Sequence, residues 1–149
     1  EGLYEAVLDR ALTPMVEALA AHVASGDGIR ALASLPAIMT DLLLEHPQMA
    51  ALFQQALQGD PQSVGNKMIK SWLDGLFSQG IETMRAVGLD EVEPADLAIQ
   101  TIAMFNLTTG YFLAQRAFAS MATGDLTDPE NIARQKKLLG RIQRALLLS

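Results

Sequence analysis

No cysteine occurs among the 149 residues, which excludes disulfides, thiolate metal sites and a cysteine nucleophile. Aromatic residues are few as well: five Phe, two Tyr and one Trp. Ala and Leu dominate, while the β-branched and aromatic residues that favour strands are scarce, so the composition points to an all-α chain. Neither of the two histidines, His22 and His46, has a second ligand at helical metal spacing. The sequence has no Gly-rich phosphate loop, no Gly-x-Ser-x-Gly elbow and no Ser-x-x-Lys with its companion motifs. Catalysis is therefore not expected, nor is a resident metal or cofactor. The acids Asp90, Glu91, Glu93 and Asp96 gather around a helix start, where capping and solvation account for them.

Positive charge is the next shortage: 11 basic residues stand against 17 acidic ones, a net charge of −6. Their one concentration, Arg134, Lys136, Lys137, Arg141 and Arg144, reads as the solvated face of the last helix. Phosphate neutralisation needs more than this, so the chain by itself is not expected to bind DNA. A membrane-length apolar run is also missing. Residues 97–114 are uncharged but carry Gln100, Thr101, Asn106, Thr108, Thr109 and Gly110. A spanning helix needs about 20 mainly apolar residues, and this segment suits the centre of a helical bundle better. No membrane association is expected. The mean hydropathy of +0.19 then calls for a large oligomer interface or an apolar internal cavity. The length fits one domain, residues 1–149. The absence of cysteine and of a secretory pattern at the start agrees with a cytoplasmic protein.

What is present is helical periodicity cut by strong breakers. Leu3, Val7, Leu8, Leu12, Met15, Leu19 and Val23 follow three-four spacing over residues 2–25. A turn follows at Ser25-Gly26-Asp27-Gly28, and Pro14 predicts a kink inside this first helix. A second helix over residues 29–45 ends at His46-Pro47, and a third over 47–57 ends before Gly59. Asp60-Pro61 or Ser63 opens a fourth that reaches residue 87, before Gly88. Gly65, Gly75 and Gly80 weaken it and suggest a bend or a close backbone approach. A fifth helix runs from Glu93-Pro94 to residue 122, and a sixth over 129–148 starts at Asp128-Pro129-Glu130. The expectation is a six-helix domain with short connections.

The opening stretch, Glu1-Gly2-Leu3-Tyr4-Glu5-Ala6-Val7-Leu8, resembles the join in TetR-type transcription repressors. There a helix-turn-helix head passes into the long helix leading to the sensing domain. The break at Glu45-His46-Pro47 and the final helix from Asp128-Pro129-Glu130 are similar to features of that family's C-terminal domain. The resemblance implies that the head is missing from the start of this chain, and that operator DNA is reached only through it. It also implies a homodimer, the last two long helices packing against their copies as a four-helix bundle. Gly110, Ala114 and Ala117 on one helix, with Ile132, Leu139, Ile142 and Leu146 on the other, are the interface candidates.

A small hydrophobic effector is the expected ligand, held between helices by mostly apolar walls with a few polar groups. The candidates are Met39 and Leu43 on the second helix, Met68, Trp72 and Leu76 on the fourth, and Phe105, Asn106, Thr109 and Phe112 on the fifth. Met adapts its shape, and Trp adds area with one donor. Asn106 stands out because an amide in so apolar a stretch needs a hydrogen-bond partner. Ligand binding would shift the first helix and spoil the spacing of two DNA heads, with Pro14 as hinge. The alternative is a helical homodimeric interaction module whose interior is filled.

Overall fold

The computed structural model describes residues 2–25, 28–60, 62–89 and 91–148. The predicted turn residues Gly26 and Asp27, with Glu1, Pro61 and Asp90, lie outside the described residues. Among those described there are seven α-helices and no strand. They are α1 (Gly2–Ser25), α2 (Gly28–Glu45), α3 (Gln48–Gln58), α4 (Val64–Met84), α5 (Pro94–Tyr111), α6 (Gln115–Met121) and α7 (Pro129–Leu148).

In α1, Leu8, Leu12, Met15 and Leu19 repeat at helical spacing and are all buried. Pro14 is exposed on the opposite side, and the helix continues through it. A second internal proline, Pro36, lies in α2. It removes one backbone donor from the ladder, and the hydroxyl of the buried Thr40 donates to its carbonyl at 2.8 Å. Helix α3 follows Pro47 at its N-cap and stops at Gly59, whose N–H bonds the Gln55 carbonyl. Helix α4 ends earlier than expected, at Met84. A wider turn, Arg85–Leu89, then carries Gly88 at φ +101°, a left-handed conformation that glycine adopts without Cβ strain.

The predicted fifth helix is two helices. Residues 112–114 break it, and α5 and α6 meet at a bend of 70°. Short-range bonds from the Phe112 and Leu113 N–H groups to Thr109 and Gly110 carbonyls close the end of α5. The chain returning towards α7 is clamped over the break. Tyr111 donates its hydroxyl to the Leu126 carbonyl, and Gln115 accepts from the Leu126 N–H at 2.8 Å while donating to the Gly124 carbonyl at 3.3 Å. Asp128 starts α7 with its carbonyl accepting from Asn131 and Ile132, while its carboxylate reaches back to the Asp125 N–H.

Two packed clusters result. The larger joins α1 to α5 through Met15, Leu43, Phe53, Ile69, Leu73 and Phe105. The smaller brings together Met84, Leu97 and Leu147. Each large apolar side chain so buried contributes about 1.5–3 kcal/mol. Helix α7 lies chiefly along α2 and is tied to it by the Lys136–Asp41 ion pair. His22 bridges α1 to α2, its Nε2 lying 2.8 Å from the Ser34 hydroxyl and 3.1 Å from the Ala31 carbonyl. No single helix among the described residues is long and apolar enough to cross a membrane.

Candidate functional site

Beside the two clusters, which share Leu35, lies a half-open cavity of about 140 Å³. Five helices wall it. The stripe Leu76, Phe77, Gly80, Thr83 and Met84 of α4 faces Thr101, Met104, Phe105 and Thr108 of α5, each at the spacing of one helical face. Leu35, Pro36 and Met39 come from α2, Gln143, Leu146 and Leu147 from α7, and Leu19 from α1. A Cβ built on Gly80 would meet nothing within 4 Å. Glycine at this point of the stripe leaves space that a larger residue would fill.

None of the described lining residues carries a charge. The polar ones are Gln79, Thr83, Gln100, Thr101, Thr108 and Gln143. The three threonines donate to the carbonyl one turn back in their own helix: Thr83 to Gln79 at 2.8 Å, Thr101 to Leu97 at 2.7 Å, Thr108 to Met104 at 2.7 Å. Such bonds are usual for threonine within a helix. On the far side of the larger cluster, α1 and α4 enclose an open groove of about 440 Å³. It is lined by Asp9, Leu12, Thr13, Val16, Glu17, Met68, Ser71 and Trp72. The groove is larger, but only two helices form it and two carboxylates line it. The cavity, joined to five helices, is the better candidate site.

The predicted ligand residues divide accordingly. Met39, Leu76 and Phe105 line the cavity. Met68 and Trp72 line the groove instead. Leu43 is fully buried in the larger cluster, against which Phe112 also packs. Asn106 is exposed and accepts a hydrogen bond from Gln54 at 3.1 Å, and the same amide donates to the buried Thr109 at 2.7 Å. Asn106 and Thr109 thus join α5 to α3 and do not line the cavity. On α5 sequence reasoning missed Met104 and Thr108, each next to a residue chosen, and Thr101, one turn before Phe105.

The predicted interface residues also divide. Ile132 and Leu139 are buried inside this chain, Leu139 to 1% exposure, because α7 turns its apolar side onto α2 and α5. Leu146 lines the cavity. Gly110, Ala114 and Ile142 are half-buried, and Ala117 is exposed on α6. The large apolar residues left outside on α5 and α7 are others: Ile99, 65% exposed, Ile102, Leu107 and Leu138, 53% exposed. Gln135 Nε2 donates to the Leu107 carbonyl at 3.2 Å, which sets α7 beside α5 at this point.

Of the acids around the start of α5, Glu91, Glu93 and Asp96 are exposed, and Asp90 lies outside the described residues. Of the predicted basic face, Arg134, Lys137, Arg141 and Arg144 are exposed, while Lys136 pairs with Asp41. Asp125 is held below its ordinary pKa by hydrogen bonds from the Thr127 hydroxyl and then the Thr127 N–H. Comparison with protein-family models, with curated proteins and with solved structures finds no match.

Proposed function

We propose that this chain is the ligand-sensing and dimerising domain of a TetR-type transcription repressor, and that the cavity between α1, α2, α4, α5 and α7 receives its effector. The observation that carries the reading is the convergence of five helices, the leading α1 among them, on one uncharged cavity. Sites of this kind in helical proteins lie between helices, with apolar walls and a few polar groups. In such a repressor α1 joins the sensing domain to the DNA-reading head. Leu19 places α1 in the cavity wall, so a molecule that pushes the walls apart acts directly on that helix. The coupling is the difference in the molecule's affinity for two positions of α1.

The size of the void narrows the effector. Drug-sized ligands occupy about 300–1,000 Å³, whereas a void near 150 Å³ lined by apolar side chains accommodates benzene. A single-ring compound fits this cavity better than a molecule of several rings. The homodimer belongs to the same reading, with Ile99, Ile102, Leu107 and Leu138 replacing the buried Ile132 and Leu139 as the contact. The protein is read as a cytoplasmic binding protein, with no catalytic role assigned.

Native mass spectrometry of the purified chain tests both parts. A dimer that binds an added single-ring compound supports the proposal. A monomer at micromolar concentration overturns the dimer, and a dimer that binds no such compound leaves only the helical interaction module.

A further inference from the structure

The polar groups of the cavity define which molecule it takes, and this inference rests on the cavity's being a ligand site. Thr83, Thr101 and Thr108 all line it, and each already donates its hydroxyl proton to a carbonyl of its own helix. A hydroxyl has one proton and two lone pairs. With the proton engaged, each threonine offers a ligand only an acceptor. Gln79, Gln100 and Gln143 also line the cavity, and their amides can donate as well as accept. Gln79 is exposed and Gln100 and Gln143 are half-buried, whereas Thr108 is 2% exposed, so the most buried polar group of the wall is an acceptor.

Charge is handled differently. No described lining residue is ionisable, and the chain carries a net charge of −6. An anion entering here would lose part of its hydration without gaining a cation. A cation would meet no carboxylate. Burial of an unpaired charge is among the most costly events in a protein interior. A neutral molecule with a hydrogen-bond donor avoids both penalties.

We infer that the effector is an uncharged, single-ring molecule carrying one hydroxyl or N–H donor, of the phenol class, whose donor bonds a threonine oxygen and whose ring fills the apolar part beside Phe77, Met104 and Phe105. The orientation follows from the wall: donor towards the threonines, ring towards the aromatic and methionine side chains.

Three probes of similar shape test this on the whole chain by titration calorimetry: phenol, benzene and benzoate. Phenol loses a hydrogen bond to water on entry, so without a partner in the wall it binds roughly tenfold or more weaker than benzene. The expected result is phenol binding at least as tightly as benzene, with no detectable benzoate binding. In a Thr83→Val, Thr101→Val, Thr108→Val triple variant, nearly isosteric but without the three oxygens, phenol binding falls about tenfold while benzene binding is unchanged. The retained benzene affinity shows that the variant is folded and the cavity intact. Phenol binding tenfold weaker than benzene in the unaltered chain, or benzoate binding as well as phenol, overturns the donor inference but leaves the cavity as a ligand site. Failure of all three probes to bind overturns the site along with it.

Discussion

The ring of Phe53 lies flat against that of Trp72, their centroids 5.1 Å apart and their planes within 9°. Phe53 also approaches Phe105, at 5.7 Å, and Phe105 meets Phe77 edge-on at 5.3 Å. Since Phe77 and Phe105 line the cavity and Trp72 lines the groove beside α1, four rings in successive contact connect the two. Replacing the fully buried Phe53 by alanine removes a middle member of this chain of rings. The expected loss of stability is about 3–5 kcal/mol, read from denaturant unfolding monitored by the emission of Trp72. A loss below about 1 kcal/mol would show that the stack is not part of the packed core.

Tyr111 makes alkaline stability a readout of the clamp over the α5–α6 break. Burial, then the charges of Asp125 and Asp128, raise its pKa above the ordinary 10.0. The folded state therefore holds the phenolic proton more firmly than the unfolded state does. The stability this confers is complete below the unfolded pKa and is lost as pH rises through the raised folded value. Ultraviolet titration of the phenolate in the folded chain should show one tyrosine ionising later than a free one. Tyr111→Phe should lose about 1 kcal/mol near neutrality and lack that part of the alkaline decline. If the unaltered chain and the variant decline in parallel, ionisation of Tyr111 does not govern the decline.

Gln54 ties α3 to α5 through two acceptors of unequal depth. Thr109 is fully buried and Asn106 is exposed, so the first bond is protected from water and the second competes with it. Gln54→Ala should cost about 1 kcal/mol, and Asn106→Ala less than about 0.5 kcal/mol. Thermal unfolding of the two variants checks the ordering. The opposite ranking would place the weight of the contact on the exposed amide.

Gly75 is exposed on α4, and an added Cβ there meets nothing within 4 Å. Gly75→Ala should raise stability by about 0.5–1 kcal/mol through helix propensity alone. An increase in melting temperature checks it, and a decrease would mean that the glycine serves a contact outside this chain.

Leu138 projects from α7 beside the stretch of α5 that holds Leu107. Leu138→Glu should leave the helical signal unchanged and shift the proposed dimer to monomer in sedimentation equilibrium. A dimer that survives with unchanged affinity would remove this face from the interface.

Helix boundaries set by strong breakers were legible in the sequence. Gly59, Gly88 and the prolines at 47, 94 and 129 mark ends to within a few residues because each constrains backbone geometry locally. The break after Tyr111 was not legible, because the residues that hold it, Gln115, Gly124 and Leu126, act across a loop. The site was read one helical position out for a related reason. Helix α5 is apolar nearly all round, so its pattern does not say which face turns inward. Phe105 lines the candidate cavity, whereas Met104 and Thr108, next to Phe105 and Thr109, and Thr101, one turn before Phe105, line it without standing out in the sequence. In α7 the apolar stripe is legible, but a stripe alone does not say whether it meets a partner or its own chain, and Ile132 and Leu139 are buried within this one.

The wall of the cavity holds nothing that titrates among its described residues. Affinity for a neutral molecule there has no proton to gain or release, and no ion pair for salt to screen. Occupancy should therefore follow the concentration of that molecule alone, and stay level while the acidity and ionic strength around the protein drift.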